Sequence, residues 1–315
     1  MTRISELAAH LRGELAKVIV GQREFVDQLL VVLLCGGHAL VEGAPGLAKT
    51  LAVKTVARVC GLGFQRVQCT ADLMPSDVTG GNVFNLASNS FSLHKGPVFT
   101  DLLLVDEINR TPPRTQAGLL EAMEERQVTI DGERHPLPGH FTVLATQNPV
   151  EFEGTYPLPE AQLDRFLLKI RIGYPSAEEE TEIVSRHAAL VDPRDLERTP
   201  VTPLEPGALD AARAETAAIR VEPSLLAYAV AVARRTRDWP SLSLSASPRA
   251  AVALLFASRA LAAIDGRDYL LPDDVKAAAG PVLRHRVMLK PEADLEGLTP
   301  DDIVRQVLAS VEVPR

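Results

Sequence analysis

Residues 38–60 read HALVEGAPGLAKTLAVKTVARVC. An apolar run, His38 to Glu42, gives way to a small-residue loop, Gly43-Ala44-Pro45-Gly46-Leu47-Ala48-Lys49-Thr50, and then to a helix-patterned segment from Leu51 to Cys60. A loop that leaves a strand and opens a helix aims consecutive backbone N–H groups and the positive helix end at one point, which suits a triphosphate. In that frame Lys49 reaches the β- and γ-phosphates, and the Thr50 hydroxyl ligates Mg2+. The strict pattern G-x-x-x-x-G-K-[ST] has glycine where this chain has Ala48, so the methyl group there predicts a negative φ.

Outward from this cradle the chain alternates. Helical spacing runs from Ile4 to Val18 and from Gln22 to about Cys35. Strand-like runs follow at His38–Glu42, Phe64–Gln68, Leu102–Asp106, Phe141–Thr146 and Leu167–Ile172, separated by helical or loop segments, the rhythm of a five-stranded parallel sheet with helices on both faces. Two intervals, Asp77–Thr100 and Gln127–His140, exceed a simple crossover. Their alternation and turn residues (Asn89-Ser90, Asp131-Gly132) predict inserted β-hairpins. After Tyr174-Pro175 the strand signals cease, and helical stretches come at about Ser176–Leu190, Gly207–Ala218, Glu222–Arg237, Pro248–Ile264 and Pro272–Leu283. The expected architecture is an α/β core over residues 1–175, a connector helix and Pro-rich linker over 176–206, and a small all-helical lid over 207–315.

With 315 residues, 46% of them hydrophobic, the chain can bury a sizeable core in two domains. Its net charge of −8 argues against a surface wrapped in nucleic acid. Cys35, Cys60 and Cys69 are odd in number and lack a C-x-x-C pair, which points to reduced thiols in the cytosol rather than disulfides or a zinc knuckle. The N-terminal stretch has no apolar h-region, and Leu29–Val41 is short of the about 20 residues of a membrane span, so a soluble cytoplasmic protein without membrane insertion is expected.

LLLVDEINR places four apolar residues before Asp106 and Glu107, a buried strand surfacing as two carboxylates. In an open α/β sheet the ligand lies beyond the carboxyl ends of the strands, where these two can meet the cradle. Asp106 then serves Mg2+, and Glu107 orients and deprotonates the attacking water. The next strand ends at Gln147-Asn148-Pro149; Asn148 can hold that water against the γ-phosphate, although Asn before Pro also starts turns. Arg165 ends a short predicted helix beside Asp164. As a rule such an arginine is a surface ion pair, but in an oligomer it can enter a neighbour's site. Arg249 falls in the first turn of a lid helix, with Ser245 or Ser247 as cap and Pro248 at a first helical position, where a cation is locally unfavourable unless it seeks a ligand.

GAPGLAKT, LLLVDEINRTPPRTQAGLLEAMEERQVTIDG and ATQNPVEFEGTYPLPEAQLDRF together resemble the MoxR family of AAA+ ATPases, over about Val20 to Pro175. The resemblance implies ATP and Mg2+ as cofactors, a ring that is usually hexameric, an α/β core with a helical lid, and two inserted hairpins. It assigns Lys49 and Thr50 to the Walker A loop, Asp106 and Glu107 to the Walker B pair, Asn148 to the first sensor, Arg165 to the arginine finger and Arg249 to the second sensor. Ala48 agrees with this family. Val20, Gly21 and Gln22 match the segment that lines the adenine, and Leu51 closes the phosphate loop. Arg110 and Arg114 fit the family pattern, with subunit contact or helix-start charge as their roles. No pore-loop aromatic motif is present. The implied function is chaperone-like remodelling, maturation or metallation of other proteins, with a partner bearing a von Willebrand factor A domain. Two other classes compete: a nucleic-acid motor, marked by salt-sensitive, polymer-stimulated hydrolysis, and a nucleotide-gated assembly scaffold. Among residues given no functional role, His38, His94, His135 and His140 lack shared ligand spacing, and Arg234, Arg235, Arg237, Arg284 and Arg286 are expected on solvated helix ends.

Overall fold

Leu102 to Val105 are four consecutive apolar residues, each at most 2% exposed, and such a run finds burial on both faces only inside a sheet covered by helices. The computed structural model, which describes residues 3–87, 89–148, 154–188 and 201–314, places this run at β5 of that sheet. Helices α1 (Arg3–Ala16) and α2 (Arg23–Cys35) precede β1 (Ala39–Gly43), α3 (Lys49–Cys60) and β2 (Phe64–Gln68). The short α4 (Pro75–Thr79) leads into a hairpin, β3 (Gly80–Asn85) and β4 (Ser90–Lys95), before β5 (Leu102–Asp106) and α5 (Pro113–Glu125). A second hairpin, β6 (Gln127–Ile130) and β7 (Glu133–Pro136), is followed by β8 (Thr142–Gln147), α6 (Glu160–Leu163) and β9 (Leu168–Ile172). Both hairpins lie in the intervals that predicted them, and the second turns at Asp131 (φ 50°) and Gly132 (φ 85°), the left-handed pair a tight hairpin requires.

The sheet is parallel in the order β2-β5-β8-β1-β9. Alternate residues of its strands feed two cores. Ala39, Val41, Leu102 and Leu104 face α1–α3, whereas Leu40, Leu103 and Val105 face α5 and the second hairpin. β8 lies between β1 and β5, so its carboxyl end falls between the loop at 43–50 and the carboxylates of Asp106 and Glu107.

Beyond the sheet come α7 (Ala177–Ala188), α8 (Ala208–Ala217), α9 (Pro223–Arg235), β10 (Leu242–Leu244), α10 (Pro248–Ile264), α11 (Pro272–Leu283), β11 (Met288–Leu289), α12 (Pro291–Leu295) and α13 (Pro300–Ser310). The lid is helical except for the two-stranded ribbon β10–β11, whose strands are too short to register as alternation. Helix α13 was also absent from the sequence pattern; its signal was the cap, where Thr299 Oγ accepts from the Asp302 N–H and the Asp302 carboxylate accepts from the Thr299 N–H. Most of the Pro-rich linker, 192–200, lies outside the described residues, as do Pro149 and the end of the predicted helix at 189–190. Of the two basic clusters, Arg234, Arg235 and Arg237 are exposed as expected, whereas Arg284 and Arg286 are not solvated. Arg286, 5% exposed, donates to Asp164 Oδ1 at 2.7 Å and to the Leu167 and Phe166 carbonyls; Arg284 pairs with Asp301 at 3.0 Å; and Arg235 stacks over Trp239. Burial demands partners for Arg284 and Arg286, and core carbonyls and carboxylates supply them. Among the described residues no helix is long and apolar enough to cross a membrane, the cysteines are free, and no group of three or more His, Cys, Asp or Glu side chains is placed to share a metal ion.

Candidate functional site

A cleft of about 680 Å3 opens at the carboxyl ends of β1, β8 and β5, floored by the loop from Pro45 to Leu51 and walled by Asp106, Glu107 and Asn148. Its size falls in the range of small-molecule sites. Val20 and Gln22 line its far end; Gly21 between them does not, and neither do Gly43 and Ala44. Those last two contribute carbonyls instead: Lys49 Nζ donates to Gly43 O at 2.6 Å and to Ala44 O at 3.1 Å. Desolvation lowers the Lys49 pKa, with Asp106 and Glu107 opposing that shift. An ammonium half-buried against its own loop at the positive end of α3 is placed where an anion is favoured.

Ala48 has φ 55°, so the negative φ expected from its methyl group is overturned. The turn into α3 needs a left-handed residue there, and the chain bears the strain of about 1–2 kcal/mol. Gln22 (φ 56°) and Glu107 (φ 60°) are also left-handed. Three of the six described non-glycine residues with positive φ thus line this cleft, and strain of this kind gathers where function over-determines the backbone.

The two strands flanking β5 hold its carboxylates. From β8, the Thr146 hydroxyl donates to Asp106 Oδ1 at 3.1 Å and accepts from the Glu107 N–H at 2.9 Å. From β2, Arg66 Nε donates to Asp106 Oδ2 at 2.6 Å, and Gln68 Nε2 donates to Glu107 Oε2 at 3.1 Å. Arg110 Nε stands 3.1 Å from the same Glu107 oxygen, within the subunit. Asn148 is 8% exposed at the end of β8, in the cleft wall between cradle and carboxylates. The donors suit Mg2+: hard oxygens from Thr50 and Asp106 facing one cleft.

Sequence reasoning missed Thr146, Arg66 and Gln68, whose only signal was their place at the ends of strands flanking β5. It also missed Ile183, Arg186 and His187, which line the same cleft, because α7 read as a connector. Arg186 ties α7 down by donating to Ala16 O at 3.1 Å.

Arg165 and Arg249 do not line the cleft. They meet each other's partner instead: Glu124, at the end of α5, lies 3.3 Å from Arg165 Nε and 2.6 Å from Arg249. Ser247 caps α10, accepting from the Arg249 N–H and donating to Asp164 Oδ2 at 2.8 Å. Core and lid thereby present two arginines from one place outside the cleft.

The family model for ATPases associated with various cellular activities (AAA) matches residues 38–168, and that for the AAA lid domain matches residues 234–307. Curated relatives include the uncharacterized protein YeaC of Bacillus subtilis, 44% identical over 95% of this chain and 92% of its own length. Chaperone MoxR1 of Mycobacterium tuberculosis is 44% identical over 96% of this chain and 81% of its own, and protein MoxR of Methylorubrum extorquens is 31% identical over 100% and 97%. A crystal structure of a provisionally assigned ATPase from Cytophaga hutchinsonii superposes with a TM-score of 0.90 at 38% identity, covering 99% of this chain and 96% of that one. These matches support nucleotide binding and ATPase activity in general terms. With a phosphate loop, a carboxylate pair and a helical lid in this arrangement, the chain belongs to the MoxR family of AAA+ ATPases.

Proposed function

We propose that this chain is a Mg2+-dependent ATPase that works in a cytoplasmic ring, taken as a hexamer, and remodels partner proteins. The observation that carries the reading is the separation just described: Lys49, Asp106, Glu107 and Asn148 line one cleft, while Arg165 and Arg249 stand paired outside it. Such a protomer has every part for hydrolysis except a cation for the charge that develops on the transferred phosphoryl group, and a neighbour's arginine pair supplies it. Lys49 would exchange the Gly43 and Ala44 carbonyls for phosphate oxygens. Thr50 and Asp106 would hold Mg2+, which would supply Lewis-acid stabilisation of the charge on the phosphate oxygens. Glu107, steered by Gln68 and Arg110, takes the proton of the attacking water, and Asn148 orients that water. The adenine fits between the segment Val18–Val20 and Ile183.

For clients, the name of the mycobacterial relative supports a chaperone role, and the family resemblance supports maturation or metal insertion with a von Willebrand factor A partner. The exposed side chains of Val83, Phe84, Leu86 and Phe91 on the first hairpin favour protein over polynucleotide, since an apolar tip offers nothing to a phosphate backbone. Glu107→Gln should retain ATP binding while turnover falls about 10²- to 10⁴-fold, and Lys49→Ala should lose nucleotide affinity. Radiolabelled-ATP binding and phosphate release check both, and retained turnover in Glu107→Gln would acquit Glu107 as the base. That same variant, trapped with ATP in its native lysate, identifies the client by what co-purifies.

A further inference from the structure

Arg66 plays no part in the mechanism above, yet it makes the ion pair with the carboxylate assigned to the metal. Residues 66 and 68 lie two apart on β2 and so share a face, while Val67 packs into the core with Leu103 and Val105 on the other. Gln68 is directly opposite Asp106 in the β2–β5 register, and Arg66 is opposite Leu104, so Arg66 reaches forward along the diagonal to Asp106 Oδ2. The aspartate is 8% exposed, and a carboxylate so buried requires a counter-charge. Its other oxygen is engaged by Thr146. A metal entering from the cleft therefore meets a carboxylate whose two oxygens each already accept a hydrogen bond. The Arg66 side chain, by contrast, is 47% exposed on an edge strand, so it can withdraw toward solvent without disturbing the core.

We propose that Arg66 is a stand-in cation: a positioning residue that keeps Asp106 oriented while no metal is present, and that yields its oxygen to Mg2+. Its pairing sets the Mg2+ concentration at which nucleotide binding tightens. This inference rests on the reading of Asp106 as the metal carboxylate. The chain couples Arg66 to its surroundings as well. A guanidinium N–H donates to Gln68 Oε1 at 2.7 Å while Gln68 holds Glu107, so a shift of β2 moves the partners of both carboxylates together.

The test is equilibrium binding of a fluorescent ADP analogue to the full-length protein, titrated with Mg2+ from a chelated baseline. Arg66→Gln should lower the Mg2+ midpoint about three- to five-fold, the factor a half-exposed ion pair commands. The same variant should bind the metal-free nucleotide more weakly, because Asp106 then faces the phosphates unpaired. Arg66→Lys, which keeps the charge, should hold the wild-type midpoint, and thermal melting verifies that both variants fold. An unchanged or raised midpoint in Arg66→Gln overturns the proposal, as does an Arg66→Lys protein that behaves like Arg66→Gln. Asp106→Asn separates the two layers. If Mg2+ no longer tightens binding in that variant, the metal reading stands and the Arg66 results decide this inference alone; if Mg2+ still does, the reading of Asp106 falls and this inference with it.

Discussion

His38 commits both ring nitrogens. Nδ1 accepts from the Val143 N–H at 2.9 Å, and Nε2 faces Met123 O at 3.2 Å, which selects the neutral tautomer protonated at Nε2. Burial pushes its pKa down to about 4, with Arg126 adding to the shift and the Met123 carbonyl opposing it. His285, also buried, is lowered too, by desolvation and the neighbouring Arg286. For a folded pKa below the unfolded value, the stabilisation is complete above about pH 6.5 and drains away as pH falls toward 4, because the unfolded chain takes up protons the native one refuses. His38 alone accounts for about 3 kcal/mol across that window. His38→Gln should therefore melt below the wild type at pH 7.5, and the gap in Tm should close by pH 4.5. A gap that stays constant would show that another group titrates.

Among the elements, the first hairpin is the most weakly tied: nearly every residue of β3 and β4 is at least partly exposed, and its strands pair mainly with each other. It is pinned at the base, where Gly80 (φ 82°) and Gly96 pass each other. A Cβ on Gly96 would overlap Gly80 N and Val78 O, both backbone atoms that cannot turn aside. Gly96→Ala should thus open the hairpin at a local cost of about 1–3 kcal/mol while the global Tm barely moves, since the hairpin adds little to either core. Amide hydrogen exchange across 80–95 measures this. Protection retained there would mean the base adjusts without loss.

Over the whole molecule one hydrophobic cluster runs from α1–α3 through one sheet face into α9, α10, α11 and α13, so lid and core hold their arginines over shared packing. Arg286 and Ser247 grip Asp164, the neighbour of Arg165, and Glu124 spans Arg165 and Arg249. If the pair serves the adjoining protomer, specific ATPase activity should rise with protein concentration. Arg165→Ala and Lys49→Ala proteins, each inactive, should also recover part of the activity when mixed, since one retains the cleft and the other the arginines. Phosphate release on mixing reads this directly, and no recovery would mean that Arg165 does not act across an interface.

From the residues alone came the parallel α/β core, both inserted hairpins and most lid helices, because these rest on local signals: unbroken apolar runs, alternation, and caps such as Ser247-Pro248. The loop from Gly43 to Thr50 and the Asp106-Glu107 exit were legible for the same reason. What only the tertiary structure decided is neighbourhood. No periodicity states that β8 inserts between β1 and β5, yet that order sets Thr146 and Asn148 between cradle and carboxylates. Nor could composition show that edge strand β2 would supply Arg66 to Asp106, or that Glu124 would collect two arginines from segments more than eighty residues apart in chain order. Local propensity is written in adjacent residues, whereas a buried charge takes its partner from whichever strand or helix the closed core brings beside it.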